Sequence, residues 1–515
     1  MLCIGDKIMD IDAIFSSLIQ EIGYSNNKTV VINKVVMNSK EVEKNNLFIA
    51  IRGGNAYISE ALEKGAFVIY DDKMLKLKSN SNSFLVSDSI EFMQKLAHRW
   101  RKALNIKIIG ITGSNGKTTV KDMIFQLLST KYKGKKTEGN YNNHIGLPFT
   151  LLCSEKNDDF MVLEMGMSNF GEIELLAKIA EPNIGIITNI GDSHLEFLKT
   201  RENVFKAKTE MLPFLKETLI INSDDEFLGK IDISANKNIN KMYEVKRSNG
   251  VGNSHKYSYK IESITDLGSK FTFYYNSELI NSEFADRSHK AKELPLETNV
   301  IGEHNISNLC LAITCALNLG VSEAEIVEVV KNIKLTDMRF QKIETNNMIY
   351  INDAYNASPI SMEKAINTFS SIYNEESYKI VILGDILELG PDENRFHEEI
   401  KECLLLAKHD EVLLFGSRMQ HLYNALKNDL NYTKKIKHFD DKNEIKKEIE
   451  KIKVTQESKK LRTVALLKAS RGMKLEEVIE KETNYEKSIE NLTININWIS
   501  PICLEHVVPK VSKIC

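Results

Sequence analysis

Short apolar runs rich in branched side chains recur along the chain. Asn46–Ile51, Ala66–Tyr70, Ile106–Ile109, Phe160–Leu163 and Ile184–Thr188 read as buried strands, as do Met348–Ile351, Lys379–Leu383, Glu411–Phe415 and Thr463–Leu467. Between them apolar residues return at helical spacing: over Ile58–Lys64, from Lys117 onward (Val120, Met123, Ile124, Leu127, Leu128), over Val204–Phe214 and over Leu309–Leu319. A helix is predicted after each strand of the last group. Strand alternating with helix predicts α/β architecture. The chain divides into a small N-terminal α/β unit (1–103), a central ATPase-like parallel-sheet unit (104–335) and a C-terminal Rossmann-like doubly wound unit (336–485). The stretch from about 233 to 300 is polar, and its alternating segments Lys256–Ile261 and Lys270–Tyr275 predict a hairpin-like excursion without chemistry. Residues 486–515 break the pattern. An extra helix, an interaction tail and a disordered end are all open there.

Composition adds limits. A length of 515 residues suits about three domains. Hydrophobic content of 42% and charged content of 27% are ordinary for a globular protein, and the net charge of −3 gives no reason to expect nucleic acid or membrane. Cys3, Cys153, Cys310, Cys315, Cys403, Cys503 and Cys515 form no C-x-x-C pair, which predicts reduced thiols, a cytoplasmic setting and no structural zinc. Met1–Ile32 lacks the pattern of a signal peptide, and no apolar run is long enough to span a membrane.

The chemistry centres on Gly110 to Thr119, which lies between a strand and a helix. Gly113, Ser114, Asn115, Gly116, Lys117, Thr118 and Thr119 have the make-up of a phosphate cradle: backbone N–H groups turned inward, a lysine for terminal phosphates, a hydroxyl for Mg²⁺. The spacing departs from the general P-loop, since Gly110 lies six residues before Gly116 and Ile111 stands where the first glycine belongs. A ligand-free glycine turn is the bland alternative.

Other polar groups gather at strand ends, where open sheets bind ligands. Glu164 ends one strand and is placed to hold Mg²⁺, with a surface glutamate as the alternative. His194 lies just past another strand. Lys206 and Lys208 share a helix whose charged face alone accounts for Lys206. Asn140, Asn142 and Asn143 sit in a polar segment that reads as a binding loop or a solvated turn. Asn305 and Asn308 could read a base edge or cap a helix. In the third unit, Asn352–Pro359, Gly384–Gly390 and Lys468–Gly472 compose an active-site rim.

In this order the motifs resemble those of the Mur ligases of peptidoglycan synthesis, over residues about 30 to 480. The Lys117 loop, Glu164, His194 and Gly302–Asn305 are shared by the wider superfamily, which includes folate polyglutamating enzymes. Glu164–Gly166, Asn140–Asn143 with Gly146–Pro148, Asp353–Pro359 and Gly384–Gly390 resemble the members that add D-alanyl-D-alanine to UDP-N-acetylmuramoyl-tripeptide. Asn38-Ser39-Lys40 replaces a usual Asp-Ser-Arg, Ser358 a usual asparagine and Ala469 a usual glycine. The resemblance implies ATP, two Mg²⁺ ions, both small-molecule substrates, an acyl-phosphate intermediate and a monomeric enzyme. It implies catalytic roles for Lys117, Glu164, His194 and Lys208, with Thr118, Glu164, His194 and a carbamylated Lys208 around metal. It further implies that Asn305, Arg339 and Asp353 face the nucleotide. Ser39, Asn140, Asn142, Asn143, Asn356, Ser358, Lys468, Ser470 and Arg471 would face substrates. The third unit is expected to close on the second. Competing readings are a ligase of the same superfamily that adds a single amino acid, an ATPase or switch that makes no amide bond, and a pseudoenzyme whose tail is an interaction module.

Overall fold

The computed structural model describes residues 10–24, 30–75, 77, 82–234, 236–248, 257–276, 292–345, 348–373 and 376–479. The tail assigned to 486–515 and cysteines 3, 503 and 515 lie outside them, as does Lys256. The four described cysteines are free thiols.

Three sheets organise the chain. The first has four parallel strands in sequence order: Lys34–Val36, Asn46–Ile49, Phe67–Tyr70 and Ser83–Leu85. Its two middle strands are buried along their whole length, which is why they read as continuous apolar runs. Helix Ser89–Ala103 follows, capped by Asp88, whose carboxylate accepts from the N–H groups of Ile90 and Glu91. This helix joins the first unit to the second. Trp100 Nε1 donates to Ser154 Oγ (3.0 Å), and Arg101 donates to the carbonyls of Ala180 and Glu181 and to Asn183. One apolar core runs through both units across it.

The second sheet has nine strands. From one edge they run Lys292–Thr298, Gly268–Tyr275, Tyr257–Thr265, Lys241–Arg247, Thr218–Asn222, Ile184–Ile187, Lys107–Thr112, Phe160–Glu164 and Gly134–Lys136. The predicted hairpin forms between Tyr257–Thr265 and Gly268–Tyr275, but it is no excursion. Tyr257–Thr265 pairs in parallel with Lys241–Arg247, so the hairpin and the strand after it extend the central sheet. Phe271, Phe273, Tyr257 and Tyr259 supply the burial that holds it there. Helix Lys117–Leu128 packs against helix Glu303–Asn318 through Val120, Ile124, Ile306 and Leu309. The predicted helix over Val204–Phe214 is shorter. It spans Arg201–Thr209 and gives way to a tight turn at Leu212–Phe214, where Pro213 lacks an N–H for the helical ladder.

The third sheet runs Gln341–Thr345, Met348–Asn352, Arg462–Lys468, Ser377–Gly384, Glu411–Phe415 and Ile436–Phe439, all parallel except the first. Helices Pro359–Ile372, Glu393–Leu406, Met419–Leu426 and Lys442–Ser458 cover it. No helix follows Arg462–Lys468 among the described residues. Two single-turn segments, Arg471–Met473 and Leu475–Val478, stand there instead.

Candidate active site

Strand Lys107–Thr112 lies between Phe160–Glu164 and Ile184–Ile187, all parallel. Their carboxyl ends therefore bring Gly113–Thr119, Glu164 and Thr188–His194 to one crevice, at the point where the strand order reverses. The turn needs its glycines. Gly113 has φ +149°, and a Cβ there would lie 1.9 Å from Thr188 Oγ1; Gly116 has φ +83°, and a Cβ would lie 2.6 Å from Asn308 Oδ1. Thr188 and Asn189 tie the loop down. Thr188 Oγ1 donates to Asn115 O, and Asn189 Oδ1 accepts from Asn115 N (3.0 Å) while its Nδ2 donates to Asn115 O (2.9 Å). Ser114 joins Gly191 and Ser193.

Lys117 opens the helix and folds back over the loop, donating to the carbonyls of Gly113 (2.8 Å) and Ser114 (3.4 Å). Desolvation lowers its pKa, Glu164 opposes the shift and Arg339 adds to it. Next to it Thr118 Oγ1 donates to Glu164 Oε2 (2.8 Å), and Asn142 Nδ2 donates to Glu164 Oε1 (2.9 Å). The Glu164 N–H donates to Thr137 Oγ1, so this buried residue is held at three points, two of them on its carboxylate.

The third unit reaches the same place. Arg339 Nη2 lies 3.3 Å from Thr118 Oγ1, and its guanidinium stacks 4.1 Å over the Tyr355 ring. Asp353 and Lys468 form a buried pair at 2.7 Å. Asp353 also accepts from Phe340 N, and Lys468 donates to the carbonyl of Asn356. Burial lowers the Lys468 pKa against the pull of Asp353. Arg339, Asp353, Asn356 and Lys468 line a cleft of about 160 Å³, open to solvent, with Asn115, Gly116, Thr119, Asn305 and His304 on its other wall. Asn305 bonds the Ile301 carbonyl. His304 has an unpartnered, buried Nδ1, and burial holds its pKa down at about 4.

Other predicted residues do not line this cleft. Ser39 lies in a single-turn segment on the first unit, capped by Asn38. Asn143 caps helix Gly146–Leu152 through the N–H groups of Ile145 and Gly146, and Asn140 is exposed beside it. Ser358 caps helix Pro359–Ile372 and touches Asn115 at 3.5 Å. Ser470 accepts from Leu387 N, and Arg471 pairs with Glu476. His194 sits at φ +55° with Nδ1 3.0 Å from Glu388 Oε2 of the third unit. The approach is too oblique for a formed hydrogen bond. Lys208 is 1% exposed and has no acidic partner among the described residues. Burial first, and the charge of Lys117 second, hold its amine well below the ordinary value. Asn189 and Arg201 were not singled out from sequence, and His304 only as part of the Gly302–Asn305 motif. Asn189 owes its placement to contact with the distant Asn115, while Arg201 donates to the Ile190 carbonyl.

The donor set suits Mg²⁺. Thr118 and Glu164 offer oxygen ligands at a phosphate loop, and Mg²⁺ is commonly held by one or two carboxylates together with substrate phosphates. Among the described residues no three His, Cys, Asp or Glu side chains converge as a preformed metal cage.

Comparison with known proteins agrees with this geometry. The Mur ligase middle domain matches residues 111–316, and the family described as Mur ligase, glutamate ligase domain matches 338–470. A UDP-N-acetylmuramoyl-tripeptide–D-alanyl-D-alanine ligase of Bacillus subtilis is 35% identical over 461 residues, covering 87% of this chain and 93% of its own. A crystal structure of MurF from Acinetobacter baumannii shares the fold, with a TM-score of 0.76 at 24% identity over 91% of this chain and 97% of that one. The MurF ligase of Thermotoga maritima in complex with ADP gives 0.71 at 26% identity, over 90% of this chain and 100% of that one. The chain therefore belongs to the Mur ligase family, with the three-unit α/β architecture of its D-alanyl-D-alanine-adding branch.

Proposed function

We propose that this chain joins D-alanyl-D-alanine to UDP-N-acetylmuramoyl-tripeptide at the expense of ATP, making the pentapeptide precursor of peptidoglycan. The observation that carries it is the meeting of Arg339, from the third unit, with Thr118 at the phosphate loop, where Thr118 also bonds Glu164. One site then spans two units, as a two-substrate ligation requires.

The tripeptide carboxylate attacks the γ-phosphorus of ATP, and ADP leaves. The dipeptide amine attacks the resulting acyl phosphate, loses a proton, and inorganic phosphate leaves with the C–O bonding pair. The first step brings two anions together, so positive charge must be concentrated in the site. Lys117 and Arg339 supply it from the chain. Lys117 exchanges its loop carbonyls for the terminal phosphates, which restores its full cationic character. The backbone N–H groups of 113–119 cradle the phosphates, and Asn305 and Asp353 hold the nucleoside end. Thr118, Glu164, His194 and Lys208 would hold Mg²⁺, expected as two ions, which would offset phosphate charge. A buried lysine amine kept neutral can add CO₂ and lose a proton, becoming an oxygen-donor carbamate. That is the role read for Lys208. Asn356, Ser358, Lys468, Ser470 and Arg471 face the dipeptide, while Ser39, Asn140, Asn142 and Asn143 serve the uridylyl substrate and its approach. Closing the third unit over the cleft keeps water from the acyl phosphate. We expect a monomer, and we place the reaction in the cytoplasm, where ATP is held. No helix among the described residues is long and apolar enough to cross a membrane.

The test is ADP release with purified UDP-N-acetylmuramoyl-tripeptide. Release should depend on D-alanyl-D-alanine. Release that ignores the dipeptide but answers to a single amino acid, or needs no acceptor, would replace this reading.

A further inference from the structure

The polypeptide that joins the second unit to the third does not cross open space. It runs along one face of the phosphate-loop helix Lys117–Leu128, in the opposite direction, and three rungs hold it. Gln126 forms a two-way amide pair with the Lys334 backbone: Nε2 donates to Lys334 O (2.8 Å) and Oε1 accepts from Lys334 N (2.9 Å). One turn nearer the loop, the Asp122 carboxylate accepts from Thr336 Oγ1. One turn further, Thr118 meets Arg339. Residues 118, 122 and 126 are four apart, so they share one helix face.

The middle rung is built to stay in place. Asp122 is buried, and its other oxygen pairs with Lys136 at 2.6 Å. Lys121 beside it donates to the Thr137 carbonyl, and the Thr137 hydroxyl in turn receives the Glu164 N–H. Ile333 and Leu335 pack into the core of the central unit on alternate positions of the linker. Past Thr336 the backbone turns sharply. Met338 and Phe340, on either side of Arg339, both have left-handed φ (60° and 57°), and Gln341 holds the turn through Met338 N and Asp337.

We infer that Asp122 and Gln126 are positioning residues for the reaction proposed above: they set the register of the linker on the phosphate-loop helix and thereby deliver Arg339 to Thr118. The inference rests on that reading of the site. A slip of one residue at Thr336 moves Arg339 by a residue's length and turns its side chain away from the loop. Asp122 and Gln126 bond the linker, and each acts through Arg339.

The test uses the full-length enzyme with all substrates saturating. Acceptor-dependent ADP release by the unaltered chain is measured first, so failure of the proposed function is seen separately. Thr336→Val removes the middle rung, and kcat should fall about tenfold. ADP affinity by calorimetry should stay within about twofold, because the cradle itself is untouched. Thr336→Ser keeps the hydroxyl and should restore most of the rate. In the Arg339→Ala background Thr336→Val should add less than about twofold, since the two changes remove the same contribution. Gln126→Ala should repeat the pattern by removing a different rung. A normal kcat in both Thr336→Val and Gln126→Ala overturns the inference. So does a full tenfold loss on top of Arg339→Ala, or a Thr336→Ser enzyme as slow as Thr336→Val.

Discussion

Replacing Glu164 by glutamine separates what this residue does for the fold from what it does for the chemistry. The carboxylate accepts from Thr118 Oγ1 at 2.8 Å and from Asn142 Nδ2 at 2.9 Å. Glutamine keeps one carbonyl oxygen for Thr118. Its new NH₂ group faces Asn142, whose amide can flip and accept. The network survives with both bonds made, and only their charge assistance is lost. The cost to stability is about 1 kcal/mol, a shift of roughly 2–4 °C in the melting of a unit this size. The cost to catalysis is larger. A fixed electrostatic group at a reacting phosphate is worth about 10²–10³ in kcat. Glu164→Gln should therefore slow dipeptide-dependent ADP release by roughly that factor while differential scanning calorimetry stays near the parent trace. A rate within threefold of the parent refutes the placement of Glu164 beside the transferred phosphoryl group. A midpoint lowered by 10 °C or more refutes the hydrogen-bond argument.

Three further outcomes follow from the same geometry. Growth or incubation with ¹³C-bicarbonate should give a carbamate carbon signal by NMR that Lys208→Met abolishes; an identical spectrum in the variant removes the modification from the account. Gly113→Ala forces a Cβ to within 1.9 Å of Thr188 Oγ1 at φ +149°, so ADP binding by calorimetry should be lost, and retained affinity would show that the loop does not need this turn. Burial holds His304 and His409 at about 4, below the ordinary 6.5, so their share of stability is complete above pH 6.5 and is lost as pH falls toward 4. Thermal midpoints should fall across that interval and fall less steeply in His409→Gln; equal slopes would mean that the imidazole is not desolvated.

The parts legible in the sequence are those that local chemistry determines. Strand, glycine turn and helix at 107–128 need only apolar runs, two glycines at positive φ and a helix start at Lys117. Glu164 could be seen because a carboxylate at the carboxyl end of a strand, beside a phosphate loop, is well placed to hold Mg²⁺. The rest depends on pairing between distant segments. The hairpin at 257–275 was readable as two alternating strands, but its parallel edge to Lys241–Arg247 was not, because alternation says nothing about the neighbour. The strands Gln341–Thr345 and Ile436–Phe439 lie at sheet edges and are half exposed, so their apolar signal is weak. Asp122 and Gln126 lie on the polar side of an amphipathic helix and look like ordinary surface residues until the linker is laid beside them. The contact between His194 and Glu388 joins residues in two units, each at an unusual backbone angle that no pattern announces.

The central claim is that a triphosphate held at Gly113–Thr119 activates the peptide acid by phosphorylating it. The direct measurement uses UDP-N-acetylmuramoyl-tripeptide carrying ¹⁸O in its terminal carboxylate, with ATP and D-alanyl-D-alanine, and mass analysis of the inorganic phosphate released. Each ligation should carry one ¹⁸O atom from carboxylate to phosphate, because the C–O bond of the acyl phosphate is the one that breaks. Phosphate free of label, alongside normal formation of the pentapeptide, would contradict it.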